Sequence, residues 1–185
     1  MKIKGLMLQS RREYVDENFG AGAWSRVLEA LPAADRDKLG GVIFAAQWYP
    51  FALGDRVDKA IVKVLGGGRS EVFEELGARS AQGRLTGEHK SFLSPGNPQD
   101  FMIKSPMIYR FYYDTGYREY EPTGPTSGVM TTHEAETYSA PDCLTVIGWY
   151  KEALRMCGAR NVRVTEVECR ARGGKVCRYR FQWSN

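Results

Sequence analysis

Hydrophobic periodicity changes once along this chain, near Gly116, and that change limits the folds open to it. Upstream, apolar residues recur at helical spacing. Leu6, Leu8, Tyr14, Val15 and Phe19 run to Gly20-Ala21-Gly22, and Trp24, Val27, Leu28 and Leu31 run to Pro32, which predicts a helical hairpin in the first forty residues. Leu53, Val57, Ile61, Val64 and Leu65 form the next stripe, opened by Pro50 and closed by Gly66-Gly67-Gly68. Ser70 then caps a stripe of Val72, Phe73, Leu76 and Ala81. After the loop Ser94-Pro95-Gly96-Asn97-Pro98, the spacing of Phe101, Ile103, Met107, Ile108, Phe111 and Tyr112 predicts one more helix. From Tyr117 the pieces are short and β-rich. Tyr117 to Tyr120 and Ser127 to His133 read as an antiparallel pair, which a C-terminal hairpin extends into one sheet. Helices first and strands later define an α+β chain, with N-terminal helices packed on a C-terminal antiparallel sheet. We expect a single domain over 1–185, mainly helical over 1–115 and β-rich over 116–185.

The chemistry concentrates in the last third. Ser139-Ala140-Pro141-Asp142 has the form of a helix cap, and Cys143, Ile147, Tyr150, Leu154 and Cys157 follow on one face. Cys143 therefore lies in the first turn, where the helix dipole favours a thiolate. Val162 to Cys169 alternates as a strand, Gly173-Gly174 turns the chain, and Cys177 to Trp183 returns, so Cys169 and Cys177 face each other across a hairpin mouth. Cys143, Glu166, Cys169 and Cys177 make a set of three thiolates and one carboxylate. That set suits tetrahedral zinc with no coordination position left for water, hence a structural site. Arg170, Arg172, Arg178 and Arg180 are placed on the same hairpin to offset its charge. Two other readings stay open: a Cys169–Cys177 disulfide, or four small buried thiols. Residues three apart on a regular strand face opposite ways, so Glu166 and Cys169 share a metal only if the strand bulges.

The runs Cys143-Leu-Thr-Val-Ile-Gly148-Trp149 and Glu166-Val-Glu-Cys169-Arg-Ala-Arg-Gly173-Gly-Lys-Val-Cys177-Arg-Tyr-Arg-Phe181 resemble the signature of the 4-vinyl-reductase domain, a bacterial small-molecule-binding module. The resemblance implies zinc on Cys143, Glu166, Cys169 and Cys177, a small hydrophobic or aromatic ligand, and the ligand-binding fold shared by nitric-oxide-signalling and vesicle-tethering proteins. It also implies a homodimer and a signalling protein partner. Gly5 and Tyr14-Val-Asp-Glu-Asn-Phe19-Gly20 resemble in outline the opening of haem-dependent nitric-oxide sensor domains. With Trp48-Tyr49-Pro50-Phe51, Gly66-Gly-Gly68, Leu85-Thr86-Gly87 and Tyr112-Tyr-Asp-Thr-Gly116, they also resemble a myxobacterial paralogous family. Haem is not expected, because it needs an axial side chain and the only histidines are His89 and His133, neither in a helical pattern.

Trp48, Tyr49 and Phe51, together with Tyr109, Tyr112 and Tyr113, form two aromatic runs suited either to a core or to an apolar pocket, and His89 is a polar candidate beside them. These seven residues are the expected ligand contacts. Catalysis is not expected: neither histidine has a nucleophile in view, and no Gly-rich run carries the lysine of a phosphate loop. The net charge of +4 is spread along 185 residues and does not call for nucleic acid. Gly5-Leu6-Met7-Leu8 is too short for a secretory core and no segment reaches the length of a membrane span, so a cytoplasmic location with reduced thiols is expected. The overall expectation is a ligand-binding regulatory domain. An interaction module of the vesicle-tethering type, or an accessory protein of tetrapyrrole metabolism, is the alternative.

Overall fold

Proline and glycine set the boundaries of the helical half. The computed structural model describes residues 1–136 and 138–185. A short strand β1 (Lys2–Lys4) leads into α1 (Gly5–Phe19), which stops at Gly20; Gly20 and Gly22 both adopt positive φ, near +83° and +84°. Then come α2 (Ala23–Glu29) and α3 (Ala33–Leu39), separated by Pro32. The expected hairpin is thus three helices, because Pro32 also caps a new one. Strand β2 (Trp48–Pro50) pairs antiparallel with β1, and α4 (Phe51–Val64) and α5 (Val72–Thr86) follow.

The single helix expected over 101–112 divides. Helix α6 (Pro98–Lys104) is capped by Asn97, whose side chain accepts from the Asp100 amide. The chain then tightens into a 3-10 turn over Ser105–Phe111. Pro106 is the cause, since it has no N–H to continue the α ladder.

Beyond Gly116, β3 (Tyr117–Gly124), β4 (Ser127–His133), β5 (Arg160–Glu168) and β6 (Cys177–Ser184) form one antiparallel sheet in the order β3-β4-β6-β5. Between β4 and β5 the chain crosses as α7 (Ala140–Met156), whose cap is Ser139: its hydroxyl accepts from the Asp142 amide at 3.2 Å. Strand β6 alternates strictly, with Cys177, Tyr179, Phe181 and Trp183 buried and Arg178, Arg180 and Gln182 exposed. That is the α+β architecture expected, with α7 laid on the inner face of the sheet.

Two clusters of buried side chains form the interior. One gathers α1 to α4 with β1 and β2; the other gathers α6, α7 and the sheet, and partly buried Tyr112 and Leu144 pack against both. Helices α5 and α7 join the two halves at very close range. A Cβ on Gly148 would collide with the Glu74 carbonyl, and one on Gly77 with the Thr145 carbonyl and the Trp149 amide. Backbone meets backbone there, so neither helix can shift alone. Among the described residues no helix is long and apolar enough to cross a membrane.

Candidate functional site

Cys143 stands in the first turn of α7, Cys169 just past the end of β5 and Cys177 at the start of β6, and the fold closes all three into one buried group. The Cys143 sulfur lies 3.7 Å from that of Cys169 and 3.8 Å from that of Cys177, far beyond a disulfide bond of about 2.05 Å. All four cysteines are free thiols, so the expected Cys169–Cys177 disulfide alternative is not formed. Cys157 is buried elsewhere, in the core behind α7, and takes no part in the cluster.

The register of β5 on β6 removes the obstacle to Glu166. Glu166 pairs with Tyr179 and Glu168 with Arg178, so two steps along β5 match one along β6 and Val167 is an extra residue bulged outward. Glu166 therefore faces inward with Tyr179, on the same side as Cys169. Its side chain is only 7% exposed; one carboxylate oxygen is held by Arg172, and the other, Oε1, is buried without a hydrogen-bond partner. Glu166 neighbours Cys169 but stands outside the tight group of three sulfurs, and a buried carboxylate oxygen left unpaired there invites a cation.

The electrostatics of the thiols are uneven. Cys177 is pushed down to about 7, chiefly by hydrogen bonding with the Cys143 thiol and also by the Arg170 amide, which donates at 3.5 Å. Cys143 is driven up as the donor in that pair and by burial; Cys169 is driven up by burial and by the neighbouring Glu166. One thiolate is therefore favoured near neutral pH while two thiols hold protons that a metal ion would displace. Of the four arginines expected to offset the cluster, only Arg172 touches its carboxylate. Arg178 and Arg180 project from the opposite face of β6, Arg178 pairing with Glu168, and Arg170 donates to the Ala135 carbonyl.

Beside the thiols lies a partly open space. A cavity of about 60 Å³ runs between α1, α5 and α7; its lining includes Leu76, Ile108, Tyr112, Val146, Trp149 and Tyr150. A second, of about 30 Å³, reaches Cys143, Cys177 and Tyr179, and Tyr109, Tyr113, Arg118 and Val146 line both. Tyr109 and Tyr113 stack at 4.6 Å. Of the seven ligand contacts expected from the sequence, Tyr109, Tyr112 and Tyr113 meet at this cavity.

The other four lie elsewhere. Pairing of Ile3 with Tyr49 ties β2 to β1, so Tyr49 and Phe51 fill the N-terminal core and Trp48 lies under the Lys4 ammonium at 4.0 Å. His89 is buried among Phe92, Phe111 and Tyr112, with Nε2 unpartnered and burial holding its pKa below the usual histidine value, but it does not line the cavity.

Sequence reasoning missed the charged groups. Arg11 donates from Nε and Nη2 to Asp58 at 2.5 and 2.9 Å and from Nη1 to the Met7 carbonyl. Asp142 lies 3.6 Å from it and accepts from the Tyr113 hydroxyl. This network ties α1 and α4 to the first turn of α7, next to Cys143. A signal existed: Leu8, Arg11 and Val15 fall on one helical stripe, which puts a cation on the inward face.

No family model and no curated protein matches the chain. Solved structures do. An H-NOX protein from S. oneidensis in the Fe(II)NO ligation state aligns with a TM-score of 0.73 at 13% identity, covering 98% of this chain and 99% of that one. Unliganded Fe(II) H-NOX from K. algicida gives 0.71 at 9%, covering 98% and 97%. A structure described as probing the function of heme distortion in the H-NOX family gives 0.74 at 14%, covering 98% and 95%. The fold is that of H-NOX proteins. The resemblance to the 4-vinyl-reductase domain is thereby corrected: no model of that family matches, and the similarity that spans the chain is to H-NOX structures.

Haem, named for such neighbours, does not fit the residues present here. The space where the two halves meet is about 60 Å³, lined by tyrosine and tryptophan rings, whereas an engineered cavity of about 150 Å³ takes a guest the size of benzene or xenon. Neither His89 nor His133 faces it.

Proposed function

We propose that this chain is a haem-free, small-ligand-binding sensor domain on the H-NOX fold, in which a structural zinc ion on Cys143, Glu166, Cys169 and Cys177 fastens α7 to the β5–β6 hairpin. Tetrahedral zinc with zinc–sulfur bonds of about 2.3 Å separates its sulfurs by about 3.8 Å, in keeping with the distances from Cys143 to Cys169 and Cys177. The unpartnered Glu166 oxygen would complete the set and leave no open position. Zinc would act there as a cross-link and charge partner, and the reading places the chain in a reducing compartment such as the cytoplasm.

The sensor reading is carried by one observation: the cavity and the thiol cluster share the wall made by Tyr109, Tyr113, Arg118 and Val146. A ligand seated against that wall presses on α7, and the glycine crossing passes the displacement to α5 without slack. A signalling protein partner would read the altered helix pair. Protein purified without chelator is expected to carry one zinc per chain, lost in a Cys169→Ser, Cys177→Ser variant. Zinc-loaded protein is expected to melt higher with a cavity-sized ligand. Metal-free wild type would end the zinc reading, and no melting shift from any small molecule would end the sensor reading.

A further inference from the structure

The lining of the cavity includes a cation, Arg118, with no ion-pair partner among the described residues. Among the described residues Arg118 donates one hydrogen bond, from Nε to the Thr132 hydroxyl at 3.2 Å. Its guanidinium lies over the rings of Tyr109 and Tyr150, at 5.0 and 5.7 Å from their centroids. Ring faces compensate a sheltered cation only in part. The other charged groups near it are already engaged. Arg11, which also lines the cavity, is committed to Asp58 and the Met7 carbonyl; Asp142, on the lining of the smaller cavity, faces Arg11 and the Tyr113 hydroxyl. On the same lining as Arg118, the Tyr112 hydroxyl is buried and has no partner.

We propose that the ligand of this cavity is a small monocarboxylate, its carboxylate received by the planar fork of Arg118 and its short apolar body packed on Leu76, Ile108 and Val146. The inference rests on the small-ligand reading above and adds the charge and class of the ligand. A guanidinium offers two parallel N–H donors matched to two carboxylate oxygens, which an amide cannot supply. The volume limits the body to a few heavy atoms, on the scale of formate to propionate. Tyr112 gives such an acid a further donor.

The test uses the zinc-loaded 185-residue chain and titrates sodium formate, acetate and propionate against acetamide and propionamide at constant ionic strength set with sodium chloride. Melting temperature and calorimetry are the readouts. Carboxylates are expected to bind saturably and amides at least tenfold more weakly. Arg118→Gln should lose the carboxylate preference while keeping its zinc content and circular dichroism spectrum; Arg118→Lys should retain part of it. Tyr112→Phe serves as a second variant that leaves the charge in place, with affinity expected to fall severalfold. Equal binding of acids and amides, or unchanged acid binding in Arg118→Gln, overturns the inference and leaves the small-ligand reading standing. Failure of both acids and amides to bind overturns both.

Discussion

Replacing Arg11 by methionine removes the cation that holds three helices together. Arg11 and Asp58 are 3% and 2% exposed, with both guanidinium–carboxylate bonds formed, and Asp142 lies 3.6 Å from the same guanidinium. Methionine fills much of the volume, so the loss is chiefly electrostatic: Asp58 is left charged and dry, and Asp142 loses its partner. Breaking one side of a buried pair costs about 3–5 kcal/mol, and the second carboxylate argues for the upper half of that range. For a chain of this length that is a fall in Tm of roughly 10 °C or more. Burial already holds the Asp58 pKa above the ordinary carboxylate value, and Arg11 is what restrains it. Without Arg11 it rises further. A folded-state pKa raised above the unfolded one means the folded state binds more protons, so the deficit of the variant shrinks as pH falls from 7 towards that pKa. The Arg11→Met, Asp58→Leu double variant, which buries no charge at either position, should recover most of the loss. Urea denaturation followed by circular dichroism at pH 7 and 5.5, each variant against wild type at the same pH, measures all three terms. Arg11→Met within about 1 kcal/mol of wild type at pH 7, or a larger deficit at pH 5.5, would refute the reasoning.

Gly148→Ala drives a methyl group into the Glu74 carbonyl and should cost about 3 kcal/mol in chemical denaturation. Gly83→Ala, on an exposed face of α5 with nothing within 4 Å, should instead gain roughly 0.5–1 kcal/mol; equal effects would contradict the close crossing. His89→Phe removes a buried nitrogen that lacks a partner. Because burial lowers the His89 pKa, its neutral form supports the fold fully above the unfolded value of about 6.5, and that support drains as pH falls. The variant should show a shallower loss of stability between pH 7 and 5, and an unchanged slope would exclude His89 as its source. Glu166→Gln should weaken zinc at least tenfold in competition with a chromophoric chelator, whereas an unaltered affinity would take the carboxylate out of the ligand set.

Much of this architecture is legible in local pattern. The change of period at Gly116, the Ser139 cap and the alternation of Cys177, Tyr179, Phe181 and Trp183 each arise from neighbours along the chain, and each stands in the structure. The three thiols are also visible, since hairpin spacing brings two of them together. What escaped depends on distant contact. Nothing near Tyr49 or Phe51 in sequence reveals that β2 pairs with β1 and turns them from the cavity into the N-terminal core. That Arg118 has no ion-pair partner among the described residues is likewise invisible, because it is defined by carboxylates that do not approach it. The break at Pro106 was readable, and the apolar spacing around it masked the missing amide.

The bulge at Val167 also speaks to insertions and deletions. A pleated strand normally tolerates no change of one residue, since every side chain beyond it changes face. Here the ladder already carries one residue in excess, with Val167 turned outward. Losing that single codon would leave Glu166 and Cys169 two positions apart, on the same face of a regular strand, and would keep Glu168 opposite Arg178. Losing a neighbouring codon within the paired run would turn Glu166 to the opposite face. The ladder also shifts register between Arg160 and Arg163, so position 167 is the slack that lies beside the thiols, where a lineage could shorten the chain without surrendering the carboxylate.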